Sequence, residues 1–152
     1  MNDQDKVLTA YCGLYCGDCI RYKSKAADLA LELLNELKGI NFENYVKVKR
    51  SSVKEFECYD EMIKAIEAVN NLKCNTPCRL GGDGCVKPCE ILKCVLSKNL
   101  KGCWECSEFE ECDKFKFLKP FHGDGPQKNL KKIKKYGLGK WAAYREKCYP
   151  WL

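Results

Sequence analysis

The sequence predicts a mainly α-helical fold with irregular, metal-knotted loops and few or no strands: a small zinc-binding domain. Three observations lead there. Apolar residues recur at helical spacing in several segments. Alternating apolar and polar runs, the mark of half-buried strands, are scarce. And 13 of the 152 residues are cysteine, most of them in short steps within Gly- and Pro-containing stretches.

Taken in order, residues 1–11 hold one extended piece, V-L-T-A-Y, before the first cysteines. Ser24 then caps a helix over 25–38, with Ala26, Ala30, Leu33 and Leu37 on one stripe and Gly39 as its stop. Residues 40–50 alternate loosely through Phe42, Tyr45, Val46 and Val48, which fits a loop or a short strand. Ser52 and Glu55 form a capping-box pattern ahead of a helix over 53–72. Within it Phe56, Tyr59, Ile63 and Ile66 share a face, and Cys58, one turn before Met62, reads as core. Residues 73–89 are a loop rich in Gly, Pro and Cys. Pro88 suits the first turn of a helix over 88–100, ended by Gly102. Further short helices are expected over 107–119, 126–136 and 139–148, with F-H-G-D-G-P as the break between the first two. A single domain over 1–152 accommodates all of this, with a basic helical tail from about 113 to 152.

A chain of this length buries a real core, though not a generous one. Cysteine at this density signals a disulfide or a metal scaffold. The opening M-N-D-Q-D-K-V has no signal-peptide character, so the expected place is the cytoplasm, where disulfides are rare. An odd count also forbids full pairing within the chain. No apolar run approaches the ~20 residues of a membrane span, so no membrane partner is expected. The net charge of +6 is uneven: residues 113–152 carry 11 Lys/Arg against 3 Asp/Glu. Since four thiolates on zinc leave a charge of about −2, that tail has a partner within the protein as well as nucleic acid outside it.

The cysteines fall in three regions: C-G-L-Y-C-G-D-C, then C-N-T-P-C-R-L-G-G-D-G-C-V-K-P-C-E-I-L-K-C, then C-W-E-C-S-E-F-E-E-C. Zinc takes four tetrahedral ligands, with sulfur at ~2.3 Å, and two thiolates separated by two to four residues reach one ion from a single turn. Cys74/Cys78 and Cys85/Cys89 are two such pairs, joined by a loop that Gly81, Gly82 and Gly84 let fold back. Cys94, Cys103, Cys106 and Cys112 form a second group. Cys12, Cys16 and Cys19 supply three ligands from one loop and need a fourth. Cys148, His122, Cys58 or a cysteine borrowed from another group would serve, and interleaved sites are equally compatible with the spacing. Two or three zinc ions follow, with an iron–sulfur cluster as the alternative. The C-x3-C-x2-C step also matches a radical-SAM cluster loop. However, Asp18 stands where those enzymes have an aromatic residue, and the chain lacks the strands of their barrel.

These motifs, from C-G-L-x-C-x-x-C through C-E-I-x-K-C to C-x-x-C-x-E-F-x-x-C, resemble a cysteine-rich bacterial and archaeal domain-of-unknown-function family described as zinc-binding. The resemblance covers about residues 10–120, and N-L-K-K-I-K-K-Y-G-L-G-K-W is similar to the family's C-terminal helix pair. It implies Cys12, Cys16, Cys19, Cys74, Cys78, Cys85, Cys89, Cys94, Cys103, Cys106 and Cys112 as metal ligands, and leaves out Cys58 and Cys148. The chain departs from the pattern in C-N-T-P-C and C-V-K-P-C, each one residue longer than is usual. The resemblance implies no biological role.

Other features carry less. His122 is the only histidine, so any His-dependent acid–base chemistry would rest on it. Gly81-Gly82-Asp83-Gly84 lacks the Lys-Ser/Thr of a phosphate loop. Lys131, Lys132, Lys134 and Lys135 could meet nucleic-acid phosphates, or simply solvate a helix whose Leu130 and Ile133 face inward. Trp104 is expected to pack over a metal site. The expected function is therefore a zinc-binding protein with structural metals, a binding or interaction module rather than an enzyme. A nucleic-acid-associated protein and an iron–sulfur or open-site zinc enzyme are the alternatives.

Overall fold

The structure is a computed structural model that describes residues 3–82 and 88–150. It is mainly helical. Among the described residues there is no strand, only isolated bridges between Thr9 and Tyr15 and between Tyr22 and Cys74. No helix among them is long and apolar enough to cross a membrane. The chain divides into two compact units, one formed by Met1–Tyr22 with Cys74–Leu152, the other by Lys23–Lys73.

The Lys23–Lys73 unit is the more regular. The other unit holds α1 (Asp3–Leu8), and α2 (Lys25–Gly39) opens this one. Ser24 caps α2 as expected, its hydroxyl accepting from the Ala27 N–H at 3.3 Å. Residues 40–50, expected as a loop or strand, instead form α3 (Phe42–Lys49). Phe42, Tyr45 and Val46 fit an i, i+3, i+4 face as well as they fit alternation. Glu43 and Lys47, one turn apart at 2.6 Å, support the helix further. The expected helix over 53–72 is broken in two. A 3₁₀ turn, Lys54–Cys58, precedes α4 (Tyr59–Asn71), and Val53 rather than Ser52 holds the cap position. The break turns both Phe56 and Tyr59 onto Phe42, with ring centroids 5.9 Å apart in each pair. Cys58, expected in the core, sits at this junction and is exposed.

The cysteine-bearing unit starts with α1, which takes Val7 and Leu8 from the expected extended piece V-L-T-A-Y, while Thr9 is bridged to Tyr15. Asp3 and Asp5 stand in its first turn, complementing the helix dipole, and Lys6 reaches Asp3 at 2.9 Å. Next come α5 (Glu90–Ser97), α6 (Lys119–His122) and α7 (Gly125–Tyr136). α7 matches its sequence pattern, with Leu130 and Ile133 fully buried. Two expected helices are absent. Over 107–119 only a 3₁₀ turn, Asp113–Phe115, forms before α6. Between Cys106 and Cys112 only Phe109 is apolar, so there is no stripe to bury. Over 139–148 a 3₁₀ turn, Trp141–Tyr144, gives way to extended chain. There the Asn129 amide takes both backbone groups of Glu146, accepting from its N–H at 2.8 Å and donating to its carbonyl at 3.2 Å. Those backbone groups are then no longer available to a helix.

The core of this unit gathers Val95, Phe115, Leu130, Ile133 and Trp141. The fully buried Thr9 hydroxyl donates to the Asp5 carbonyl at 2.6 Å and accepts from the Trp141 indole at 2.9 Å. Cys12, Cys16, Cys19, Cys78, Cys89, Cys106 and Cys112 pack against this core from its margin.

Candidate metal centre

The cysteine steps fold into tight turns because a two-residue spacer suits a 3₁₀ hydrogen bond. The Cys19 N–H donates to the Cys16 carbonyl at 3.1 Å, and the Cys106 N–H to the Cys103 carbonyl at 3.0 Å. Each turn therefore presents two thiols from consecutive corners. Gly13, inside C-G-L-Y-C, has φ +87° and lies against α7, where an added Cβ would meet the Pro126 carbonyl oxygen at 2.6 Å. Only glycine lets this loop rest on the helix. In the second region Gly81 has φ +83°, and a Cβ on Gly82 would fall 1.8 Å from the Thr76 oxygen. The bend expected there is thus closed on itself over Cys74–Cys78.

Long-range backbone bonds then bring the regions together. The Cys74 N–H donates to the Arg21 carbonyl at 2.8 Å, and the Cys103 N–H to the Tyr11 carbonyl at 2.9 Å. A backbone N–H of Cys78 meets the Cys16 sulfur. The result is two cavities. The first, about 70 Å³, is lined by Cys12, Cys16, Cys19, Cys74, Cys78 and Cys89, with almost no polar atom facing it. The second, about 40 Å³, is lined by Cys94, Cys103, Cys106 and Cys112, the set that the spacing grouped, together with Ile91, Val95 and Phe115. The N-terminal trio thus stands with Cys74, Cys78 and Cys89, and Cys148 does not line this cavity. α5 explains the split. Cys89 caps it and Cys94 lies within it, and five positions turn a side chain through about 140° around a helix axis. Cys85 lies outside the described residues.

Burial pushes the Cys16 thiol up to about 11 and the Cys103 thiol up to about 12, with neighbouring thiols adding to both. Without a cation these sulfurs stay protonated at neutral pH. Among the described residues, no three His, Cys, Asp or Glu side chains converge tightly enough to enclose an ion as they stand. The donor chemistry nevertheless suits a soft metal: several thiols on short chelating turns, with Arg21 also lining the first cavity and Lys98, Glu108 and Lys114 the second.

The other sequence candidates are placed as follows. The His122 ring nitrogen lies 2.8 Å from the Cys148 carbonyl, and its ring meets Tyr149 edge-on. Cys148 is half-buried, and burial raises its thiol. Each of the four tail lysines has a partner within the chain. Lys131 pairs with Glu110 at 2.6 Å and Lys132 with Glu146 at 2.7 Å, while Lys134 lies over Phe109 and Lys135 over Tyr136. Trp104 is buried beside the second cavity's cysteines, under the Arg79 guanidinium.

The family described as "Protein of unknown function (DUF3795)" matches residues 8–117. The chain belongs to that family. The matched span holds all eleven candidate ligands, from Cys12 to Cys112. No curated protein and no solved structure matches the chain.

Two features escaped sequence reasoning. Asp18, inside C-G-D-C, takes a two-pronged ion pair from Arg145, both contacts at 2.6 Å, with the guanidinium also 4.5 Å from the Tyr15 ring centroid. That hydrogen bonding to Asp18 holds the Arg145 charge more firmly than usual. The other feature is Arg79, directly after Cys78. An acidic residue between two candidate-ligand cysteines, and a basic one beside a third, were the available signals.

Proposed function

We propose that this protein binds zinc through the thiolates of the two cavities, and that the ions are structural members of its cysteine-bearing unit. The observation that carries the reading is the sorting of ten described cysteines into two nearly apolar cavities. The four of the second make one tetrahedral complement, and the six of the first suffice for one ion or for two that share thiolates. The reading has no catalytic part. Its expected use is to hold a binding surface in shape, in a reducing compartment such as the cytoplasm, where thiols stay available.

Anaerobic purification without added metal, followed by elemental analysis, tests this directly. A colourless protein with two or three zinc ions per chain is expected. A brown protein absorbing near ~400 nm would assign an iron–sulfur cluster instead. Stripping the metal with a chelator should then collapse the circular dichroism of the cysteine-bearing unit. An unchanged spectrum after complete removal rules out the structural role.

A further inference from the structure

Arg79 lies between two aromatic rings, directly after a candidate ligand of the first cavity, whose own lining includes Arg21. It follows Cys78 in the 3₁₀ turn Cys78–Leu80. Its guanidinium lies 4.5 Å from the Tyr11 ring centroid and 5.1 Å from that of Trp104. Its Nε donates to the Thr9 carbonyl at 2.9 Å and its Nη1 to the Lys101 carbonyl at 3.0 Å. The remaining nitrogen, Nη2, is buried without a hydrogen-bond partner. No carboxylate pairs with this side chain among the described residues. Glu105, whose field reaches it, accepts instead from the Lys101 N–H at 2.7 Å.

A guanidinium does not give up its proton. Burial therefore disfavours its charge, and neutral carbonyls and aromatic faces relieve that only in part. Tyr11, the Cys78 and Cys16 thiols and the Glu105 carboxylate all act on Arg79 electrostatically, and of these the thiols are the groups whose charge changes when a metal binds. As thiols they carry no net charge. As thiolates on a divalent ion, four of them leave a surplus of about two negative charges.

We propose that Arg79 is the built-in counter-charge of the first cavity's metal–thiolate centre, a positioning residue that favours the loaded state without ligating the ion. The inference rests on the zinc reading above and goes beyond it, because it assigns a role to a residue outside the ligand set. The cation and the centre stabilise each other, so removing either weakens the other.

The test uses the full-length, zinc-loaded protein and a chromogenic chelator, with Arg79→Met and Arg79→Lys compared to wild type. Methionine keeps apolar bulk between the rings and removes the charge. Lysine keeps the charge and loses the fork that bridges Thr9 and Lys101. Arg79→Met is expected to yield zinc at about 10- to 100-fold lower chelator concentration, the range usual for residues that support a metal site from outside its ligand set. Arg79→Lys keeps the charge but not the planar fork, and its loss is expected to be at least about threefold smaller than that of the methionine variant. Zinc retention by Arg79→Met equal to wild type overturns the proposal. So does loss by Arg79→Lys as large as that of the methionine variant, which would make Arg79 a bridge between carbonyls. If Arg79→Met does not fold, the lysine variant alone decides between charge and bridge. A wild-type chain without metal overturns the zinc reading and this inference together, whereas zinc-replete wild type with unaffected variants overturns only the role of Arg79.

Discussion

The two units solve the same problem with different materials. Lys23–Lys73 is built from three α-helices and a 3₁₀ turn, yet its buried side chains are few: Ala27, Ala30, Val46 and Tyr59. Leu29, Leu33 and Val48 stay exposed, and Cys58 with them. The cysteine-bearing unit has shorter helices and more irregular chain, yet it buries Trp104, Phe109, Phe115, Leu130, Ile133 and Trp141. Regular secondary structure and core quality are thus inverted between the two. Helices satisfy their own backbone and form wherever the stripe and caps allow. Irregular loops must be tied down by something else, and here the ties are side-chain clamps to backbone and, in our reading, metal.

That contrast can be broken or sharpened by substitution. The largest effect among single substitutions is expected from Trp141→Ala, which empties a fully buried site and leaves the Thr9 hydroxyl without its donor. A loss of about 3–5 kcal/mol is expected in chemical denaturation of the cysteine-bearing unit. An effect below about 1 kcal/mol would mean that this core contributes little and that other ties hold the loops. Next comes Asp18→Asn, which breaks the paired contact with Arg145 inside the C-G-D-C loop. It should cost about 1.5–3 kcal/mol, and hydrogen exchange should speed up over residues 141–149. Exchange unchanged there would show that the contacts from Asn129 and Tyr15 hold the C-terminal segment without Asp18. The smallest effect belongs to the helical unit. Ser24→Ala removes the cap of α2 and should cost about 1 kcal/mol, read by helix content, with zinc content unaltered. A loss of zinc in this variant would show that the two units are not independent.

The sequence was readable where one local rule decides the outcome. Ser24 and the leucine–alanine stripe announce α2, and Leu130 with Ile133 announces α7. It was misleading where a distant residue decides. Residues 145–149 have the composition of a helix end, but Asn129, Tyr15 and Asp18 hold them extended, through contacts reaching as far as 134 positions away. α3 was hidden because three residues cannot distinguish a period of 3.6 from loose alternation. The grouping of thiols followed the same rule. Cys94, Cys103, Cys106 and Cys112 lie close in sequence and share a cavity. Cys12, Cys16 and Cys19 meet Cys74, Cys78 and Cys89 only after residues 23–73 have intervened, and spacing cannot reveal such a return. Arg79 was invisible for a related reason: its meaning lies in two aromatic rings and two carbonyls contributed by other segments.

The parallel bridge between Tyr22 and Cys74 has a consequence of another kind. The chain leaves the cysteine-bearing unit and comes back beside its own point of departure, so the cysteine turns on either side depend on the two ends being close and not on what lies between. Residues 23–73 are in that sense a guest at a fixed doorway. Entropy favours a shorter guest, by about 0.6 kcal/mol for each halving of the loop, and tolerates a longer one at the same modest rate. Tyr22 and Cys74 therefore mark a graft point, where a brief turn or an unrelated domain with neighbouring termini can be carried in place of the helical unit.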